Sequence, residues 1–298
     1  MKKIVIILFL IVNSSFAEVV SVIPYVGYMS YNKDVKKSLK DKSVIDGIYA
    51  NVGTLSYLLE FNYSHLDTTY KSEVTDINLN QNDFTLNYSQ YGPRAMYKLG
   101  VHYTDTNDIV LGNALVIIAS VGGYTYKGYD KYSYGVNMYY SLYKNGRDEN
   151  QALFDSNGNY ILGSSTSILQ LSPYFSYFNS ISINSSNLVY ARVDYQYGFN
   201  YIQQNYLTFS LGDTYYYKSF FVDMNGYKGE MRSGIKNSGI SLYNSLNLMK
   251  YGLALKLGYY LTPALVASVS YSTNVYQEYS LTKDTRNSIG VASLNYRF

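Results

Sequence analysis

The sequence predicts an all-β fold: a transmembrane antiparallel β-barrel of about fourteen strands, with twelve or sixteen as the alternatives. Three observations predict it. Only 15% of the 298 residues are charged, against about 25% in soluble domains, while 39 residues are tyrosine. Apolar and polar residues alternate with period two almost throughout, and helical periodicity finds no comparable support. The alternating segments run roughly 10 to 15 residues, beyond the usual 5–6 of a soluble strand and matched to a tilted membrane crossing.

Composition removes the competing classes. A mean hydropathy of −0.15 is too low for a bundle of membrane-spanning helices, each of which needs about 18 or more apolar residues. Aromatic and β-branched residues are too plentiful for a disordered chain. With no cysteine there is neither a disulfide framework nor a thiolate zinc site.

At the N-terminus, Lys2 and Lys3 precede an apolar run from Ile4 to Val12, and Asn13 to Ala17 ends in a small-x-small pattern. This is the pattern of a secretory signal peptide, residues 1–17, cleaved after Ala17; the run is too short to span a bilayer. Residues 18–298 then form one barrel domain. Loss of the two lysines takes the net charge from +3 to +1, a balance that argues against nucleic acid as a partner.

The strands are expected near 19–31, 44–52, 55–69, 82–91, 95–104, 112–126, 131–144, 167–179, 187–201, 205–217, 219–231, 250–261, 264–278 and 286–298. The pattern is plain at 251–261, where Tyr251, Leu253, Leu255, Leu257, Tyr259 and Leu261 alternate with Gly252, Ala254, Lys256, Gly258 and Tyr260. Short turns are expected at Gly53, 92–94, 127–130, Lys218 and Thr262-Pro263. Longer polar joins fall at 32–43, 70–81, 145–166, 232–249 and 279–285. That alternation is the habit of membrane barrels, which pair short turns on one side with long loops on the other. The joins at 105–111 and 202–204 and a longer turn at 180–186 break the rule.

The last strand ends on Leu294, Tyr296 and the terminal Phe298, apolar or aromatic at alternate positions. With the signal peptide and the long alternating strands, it resembles Gram-negative outer-membrane β-barrels, and in size the monomeric fourteen-stranded general porins. The resemblance is one of architecture and covers the whole chain after residue 17. It implies an outer-membrane location, and it implies that Leu294, Tyr296 and Phe298 are read by the barrel assembly machinery. Lipid and lipopolysaccharide follow as partners. A fatty-acid channel of equal strand number carries an N-terminal hatch, for which the first strand leaves little room here. No plug or peptidoglycan-binding domain is expected.

Charge within a strand marks the lumen face, because a lipid-facing cation costs about 2–4 kcal/mol at the midplane. Glu60, Lys98, His102, Arg192, Asp194, Asp223, Lys250, Lys256 and Arg297 are therefore the candidate pore-lining residues. Five cations against three anions predict a mild anion preference or none, with Arg192 and Asp194 close enough in register to pair. Fourteen strands with small inward residues predict a water-filled lumen. Passive diffusion of small hydrophilic solutes or ions follows, with no cofactor, no metal and no chemical step.

Two joins are candidates for closing the lumen: 145–166, the longest, and 232–249, where Ile240, Leu242, Leu246 and Leu248 supply an apolar side. For the second, an extension of the following strand is an equal alternative. Asp155 to Asn159 looks superficially like a calcium loop, but its Gly158 stands early and no bidentate glutamate follows. A barrel enzyme needs a histidine at the outer rim; of the two histidines, His65 shares a face with Asp67 on the outward side, and no serine stands in a nucleophile motif. A surface adhesin or structural barrel with an occluded lumen is the remaining alternative, and the lysine-rich 32–43 segment would be its basic lip.

Overall fold

A segment that crosses hydrocarbon must pair every backbone N–H and C=O internally, and alternating strands do so only by closing on themselves. In the computed structural model the chain does close. The structure describes residues 19–31, 40–70, 77–107, 112–144, 153–154, 160–162, 165–199, 205–236, 239–242, 247–277 and 284–298. The expected signal peptide lies outside these residues.

Fourteen long strands form the wall: β1 (Val19–Tyr31), β2 (Lys40–Gly53), β3 (Tyr57–Tyr70), β4 (Ile77–Tyr91), β5 (Ala95–Thr106), β6 (Asn113–Lys127), β7 (Asp130–Lys144), β10 (Ser165–Ser182), β11 (Ser185–Phe199), β12 (Asn205–Tyr217), β13 (Phe220–Met231), β16 (Leu248–Thr262), β17 (Leu265–Gln277) and β18 (Asp284–Arg297). Two small hairpins complete the set, β8 (Leu153–Phe154) with β9 (Tyr160–Leu162), and β14 (Ile235–Lys236) with β15 (Ser241–Leu242). Each wall strand is antiparallel to its neighbours, and β1 pairs with β18 from Ser21↔Arg297 to Tyr31↔Asn287 to close the ring. Closure without a parallel seam requires an even strand number, and the count is fourteen.

The connections sort by end. Turns at 54–56, 92–94, 128–129, 183–184, 218–219 and 263–264 gather at the end that holds β1's start and β18's finish; every longer join lies at the other. The exception expected at 180–186 disappears, because β10 and β11 run on to a two-residue turn at Ile183-Asn184. Lys40 to Ser43, expected in a loop, belong to β2. The rest of that lysine-rich segment and most of 145–166, including Asp155 to Asn159, lie outside the described residues.

The outward face is apolar. On β5, Leu99 and Val101 are exposed between Tyr97 and Tyr103; on β16, Leu253, Leu255 and Leu257 are exposed between Tyr251 and Tyr259. Aromatic residues thus bracket the band at both levels, placing a polar tip at the water boundary and a ring toward hydrocarbon. At the turn end Phe220 meets Tyr259 at 4.6 Å and Tyr296 meets Phe298 at 4.6 Å between ring centroids.

One residue separates lipid from lumen along β16. Leu255→Arg is expected to destabilise the barrel by about 2–4 kcal/mol, although Lys256 beside it is tolerated because it points inward. Equilibrium refolding from urea into lipid vesicles measures the difference.

Candidate functional site

The inward face is polar on most strands, and the loop between β13 and β16 folds into it. Two bulges direct this loop. The β13–β16 register shifts between Lys228 and Met231, and the β16–β17 register shifts between Met249 and Tyr251. Gly229 in the first bulge has φ +139°, and a Cβ there would collide with the Leu207 carbonyl. Bulges re-aim the side chains that follow them. Here Met231 and Met249 turn inward and bury with Tyr276, against which Tyr31 and Tyr227 also pack.

Between these stems β14 and β15 form a short hairpin, with Ile235 opposite Leu242 and Lys236 opposite Ser241. Its apolar side docks on a patch of the inner wall: Ala114, Val116 and Ile118 of β6, Tyr139 and Tyr143 of β7, Ile168 of β10 and Tyr206 of β12. Gly239, at φ +97°, comes so close to Ile118 that a Cβ would overlap it. Burying a side chain such as Ile235 contributes about 2 kcal/mol.

Polar side chains hold the hairpin's backbone. Gln170 accepts from the Ile235 N–H at 2.9 Å and donates to the Ile235 carbonyl at 2.9 Å, acting as one peptide of a neighbouring strand. Gln196 donates to Gln170 at 3.1 Å and accepts from the Arg232 N–H at 3.1 Å. Across the lumen Thr85 donates to the Ile240 carbonyl at 3.4 Å. Ser233, buried with φ 45°, turns the chain at the loop's entrance, and its carbonyl accepts from Tyr143 at 3.5 Å. The described residues 232–236 and 239–242 therefore form an inward-folded loop, and Leu248 begins the next strand. Leu246 lies outside the described residues.

The candidate lining residues divide into paired and open sets. Lys98 binds Glu60 at 2.9 Å, and Arg192 binds Asp194 at 3.0 Å. Asp194, 1% exposed, also accepts from Ser172 at 2.6 Å and Gln170 at 3.2 Å. Asp223 accepts from Thr214 at 3.1 Å and Asn225 at 3.0 Å. Lys256 and Arg297 are exposed at inward positions, each near an aromatic face, Phe221 at 5.7 Å and Tyr260 at 6.0 Å. Lys250 departs from its expected inward place. It is the extra residue of the β16 bulge, and its ammonium binds Asp284, a rim residue, at 2.6 Å.

His102 faces inward but is 1% exposed. Its Nδ1 lies 2.7 Å from the Thr85 hydroxyl, and its Nε2 lies 3.2 Å from Thr104 Oγ1 and 3.4 Å from Asp83. Thr104 donates to Asp83 at 2.6 Å. Hydroxyl, imidazole and carboxylate thus stand in line, yet Thr85 is itself buried and turned to the loop, so the group braces the wall beneath Ile240. His65 lies outward, 3.0 Å from Asn82.

The inner apolar patch had a signal in the sequence. Ala114-Leu115-Val116-Ile117-Ile118-Ala119 is apolar on both faces, where a strand between lipid and water should be apolar on one. Ile235 and Lys236 had no signal of their own, because a two-residue strand shows no period.

Gln170→Ala is expected to leave the Ile235 N–H and C=O buried and unpaired, at about 1–3 kcal/mol each. The Ile235 amide should then exchange with deuterium at least tenfold faster, while amides of β10 stay protected; hydrogen-exchange mass spectrometry reads both.

No family model matches the chain, and no curated protein matches it. Solved structures do. The CymD monoaromatic hydrocarbon channel aligns with TM-score 0.53 and 8% identity, over 94% of this chain and 88% of that one. A deltaS2S3 mutant of the TodX monoaromatic hydrocarbon channel gives TM-score 0.54 and 9% identity, over 94% and 90%. A bacterial polysaccharide outer membrane secretin gives 0.51 and 9%, over 93% and 98%. At such identities the likeness is one of fold: this chain is a closed fourteen-stranded barrel of the outer-membrane type.

Proposed function

We propose that the protein is a porin-like outer-membrane channel through which small hydrophilic solutes or ions diffuse passively. The observation that carries this reading is the inner wall itself. Polar and charged side chains line it, and a loop narrows it without matching apolar surfaces on all sides. Lys256 and Arg297 stay exposed at inward positions, and Ala254, Ser270, Ser272, Val291 and Ser293 of the same sector stay half-buried. The opposite sector from β4 to β12 is instead buried, including Thr104, Gln170, Gln196 and Thr208, and the loop bonds Gln170 and Gln196 there. The free space is therefore eccentric, running along β16, β17 and β18.

Water fits this wall. The side chains of Asn87, Ser89 and Ser120 have buried polar atoms with no protein partner among the described residues, and such groups are satisfied by ordered water. Tyr190 packs over Gly212 and Phe221 over Gly258, positions where a Cβ would overlap the ring. Rings seated in those gaps lie against the wall.

In this reading residues 1–17 direct export and are removed. Leu294, Tyr296 and Phe298, all exposed on the outward face, form the strand end presented to the barrel assembly machinery. Lipid covers the apolar band, and lipopolysaccharide contacts the loop end. The hydrocarbon cargo of the CymD and TodX channels does not extend to this wall, whose inner charges suit hydrophilic solutes. No catalytic step is part of the proposal.

A second reading is favoured by one observation: at the level of the loop the inward residues Thr104, Thr208 and Gln196 are all at most 1% exposed. A barrel sealed at that level would be a structural or adhesive surface protein. Single-channel recording of the refolded full chain separates the two. A channel gives discrete conductance, and deletion of 234–246 should raise that conductance several-fold. A sealed barrel gives none until the loop is removed.

A further inference from the structure

The loop carries a cation into the lumen. Lys236 Nζ lies 3.9 Å from the centroid of the Tyr227 ring, and Tyr227 is held in turn by its hydroxyl donating to Asn274 at 2.9 Å. Arg192, partly exposed on β11, is the next cation on the wall. The carboxylate that acts on both is Asp194. Its Oδ2 accepts from Arg192 Nε and its Oδ1 accepts from Ser172 and Gln170, while the residue is 1% exposed. Its charge offsets one cation, and its lone pairs are committed to the wall.

Arg232, at the loop's entrance, and Lys40, 5.8 Å from the Tyr276 ring, are further cations around the loop, and the remaining charges cancel or stand apart. Glu60 is paired with Lys98, and Asp83 lies against His102 and Thr104. Asp223 is hydrogen-bonded to Thr214 and Asn225 and lies opposite Lys256 in register. Lys228 lies opposite the exposed Phe209 on the outward face of β13, and Glu230 is exposed. Lys236 and Arg192 against the one saturated carboxylate of Asp194 leave that cluster net positive.

From this geometry we infer that Lys236, with Arg192, forms an anion filter, and that small monovalent anions are the preferred solutes. The inference rests on the channel reading and names the solute class of that same lumen. A cation beside a narrow, partly dry path attracts anions and repels cations of equal size. In water one unscreened charge at about 5 Å enriches an anion roughly fourfold and depletes a cation as much; screening over about 10 Å at 0.1 M leaves a combined preference of roughly fourfold, and about 3 Å at 1 M removes most of it. Burial, then Arg192, lowers the pKa of Lys236 to about 8, against the opposing pull of Asp194. Its charge is therefore present at neutral pH and lost as pH rises through that value.

The test is the reversal potential of the refolded full chain in a planar bilayer under a tenfold KCl gradient near 0.1 M. At pH 7 the wild type should favour chloride over potassium, Lys236→Gln should bring the permeability ratio roughly fourfold closer to unity, and Lys236→Arg should keep it. Raising the pH to 9.5 should erode the wild-type preference and leave that of Lys236→Arg in place, since a guanidinium does not titrate there. The wild-type titration needs no variant to fold. Conducting channels with the same reversal potential in the wild type and Lys236→Gln, or with no change between pH 7 and 9.5, overturn the filter while leaving the channel. A wild type that passes no current overturns the channel reading and the filter with it.

Discussion

Everything in this molecule depends on backbone pairing inside a hydrocarbon layer. Water is absent there, so an unpaired N–H or C=O costs several kcal/mol and a free sheet edge is excluded. The pairing of β1 with β18 removes the edge. Antiparallel closure makes the strand number even, and it brings both strand termini and all the short turns to one end. It also creates an inside. Because side chains alternate, each strand presents one face to lipid and the other to whatever the cylinder encloses.

The enclosed space then poses a second physical problem. A ring of fourteen strands is too wide for its own side chains to fill, unlike a ring of eight. Here a loop enters the space, and the wall is adapted to receive it. Ile118, Tyr139 and Ile168 form an apolar seat on an otherwise polar surface, and Gln170 and Gln196 supply the hydrogen bonds that the loop's backbone would otherwise take from water. The bulges at Gly229 and Lys250 aim both stems of the loop toward that seat. Apolar contact, backbone capture and stem geometry agree, so the loop has one docked position. Among the described residues the same placement leaves the sector along β17 and β18 uncovered, and it sets Lys236 within electrostatic reach of Arg192 and Asp194.

The fold was legible because lipid writes a simple rule into every strand. Leu253, Leu255 and Leu257 against Ala254, Lys256 and Gly258 announce both the strand and its two environments. Boundaries shifted by a few residues, as at Lys40 to Ser43, because the strands extend past the hydrocarbon into water, where the alternation loses its cause. Lys250 was misplaced for a related reason. Period two predicts a face only while the register is unbroken, and a bulge reverses the count without any residue type that marks it.

The sequence alone determined the class and the lipid face, since each follows from a local pattern set by the solvent on either side, and it pointed to about fourteen strands, a number that the closed ring fixed. Only the tertiary structure decided what fills the lumen. Ile235 meets Gln170, and Lys236 comes within electrostatic reach of Arg192 and Asp194, across separations in the chain of roughly forty to sixty-five residues. Those meetings depend on how far the closed ring brings opposite strands together and on where two bulges point a loop. No periodicity within a strand encodes either distance.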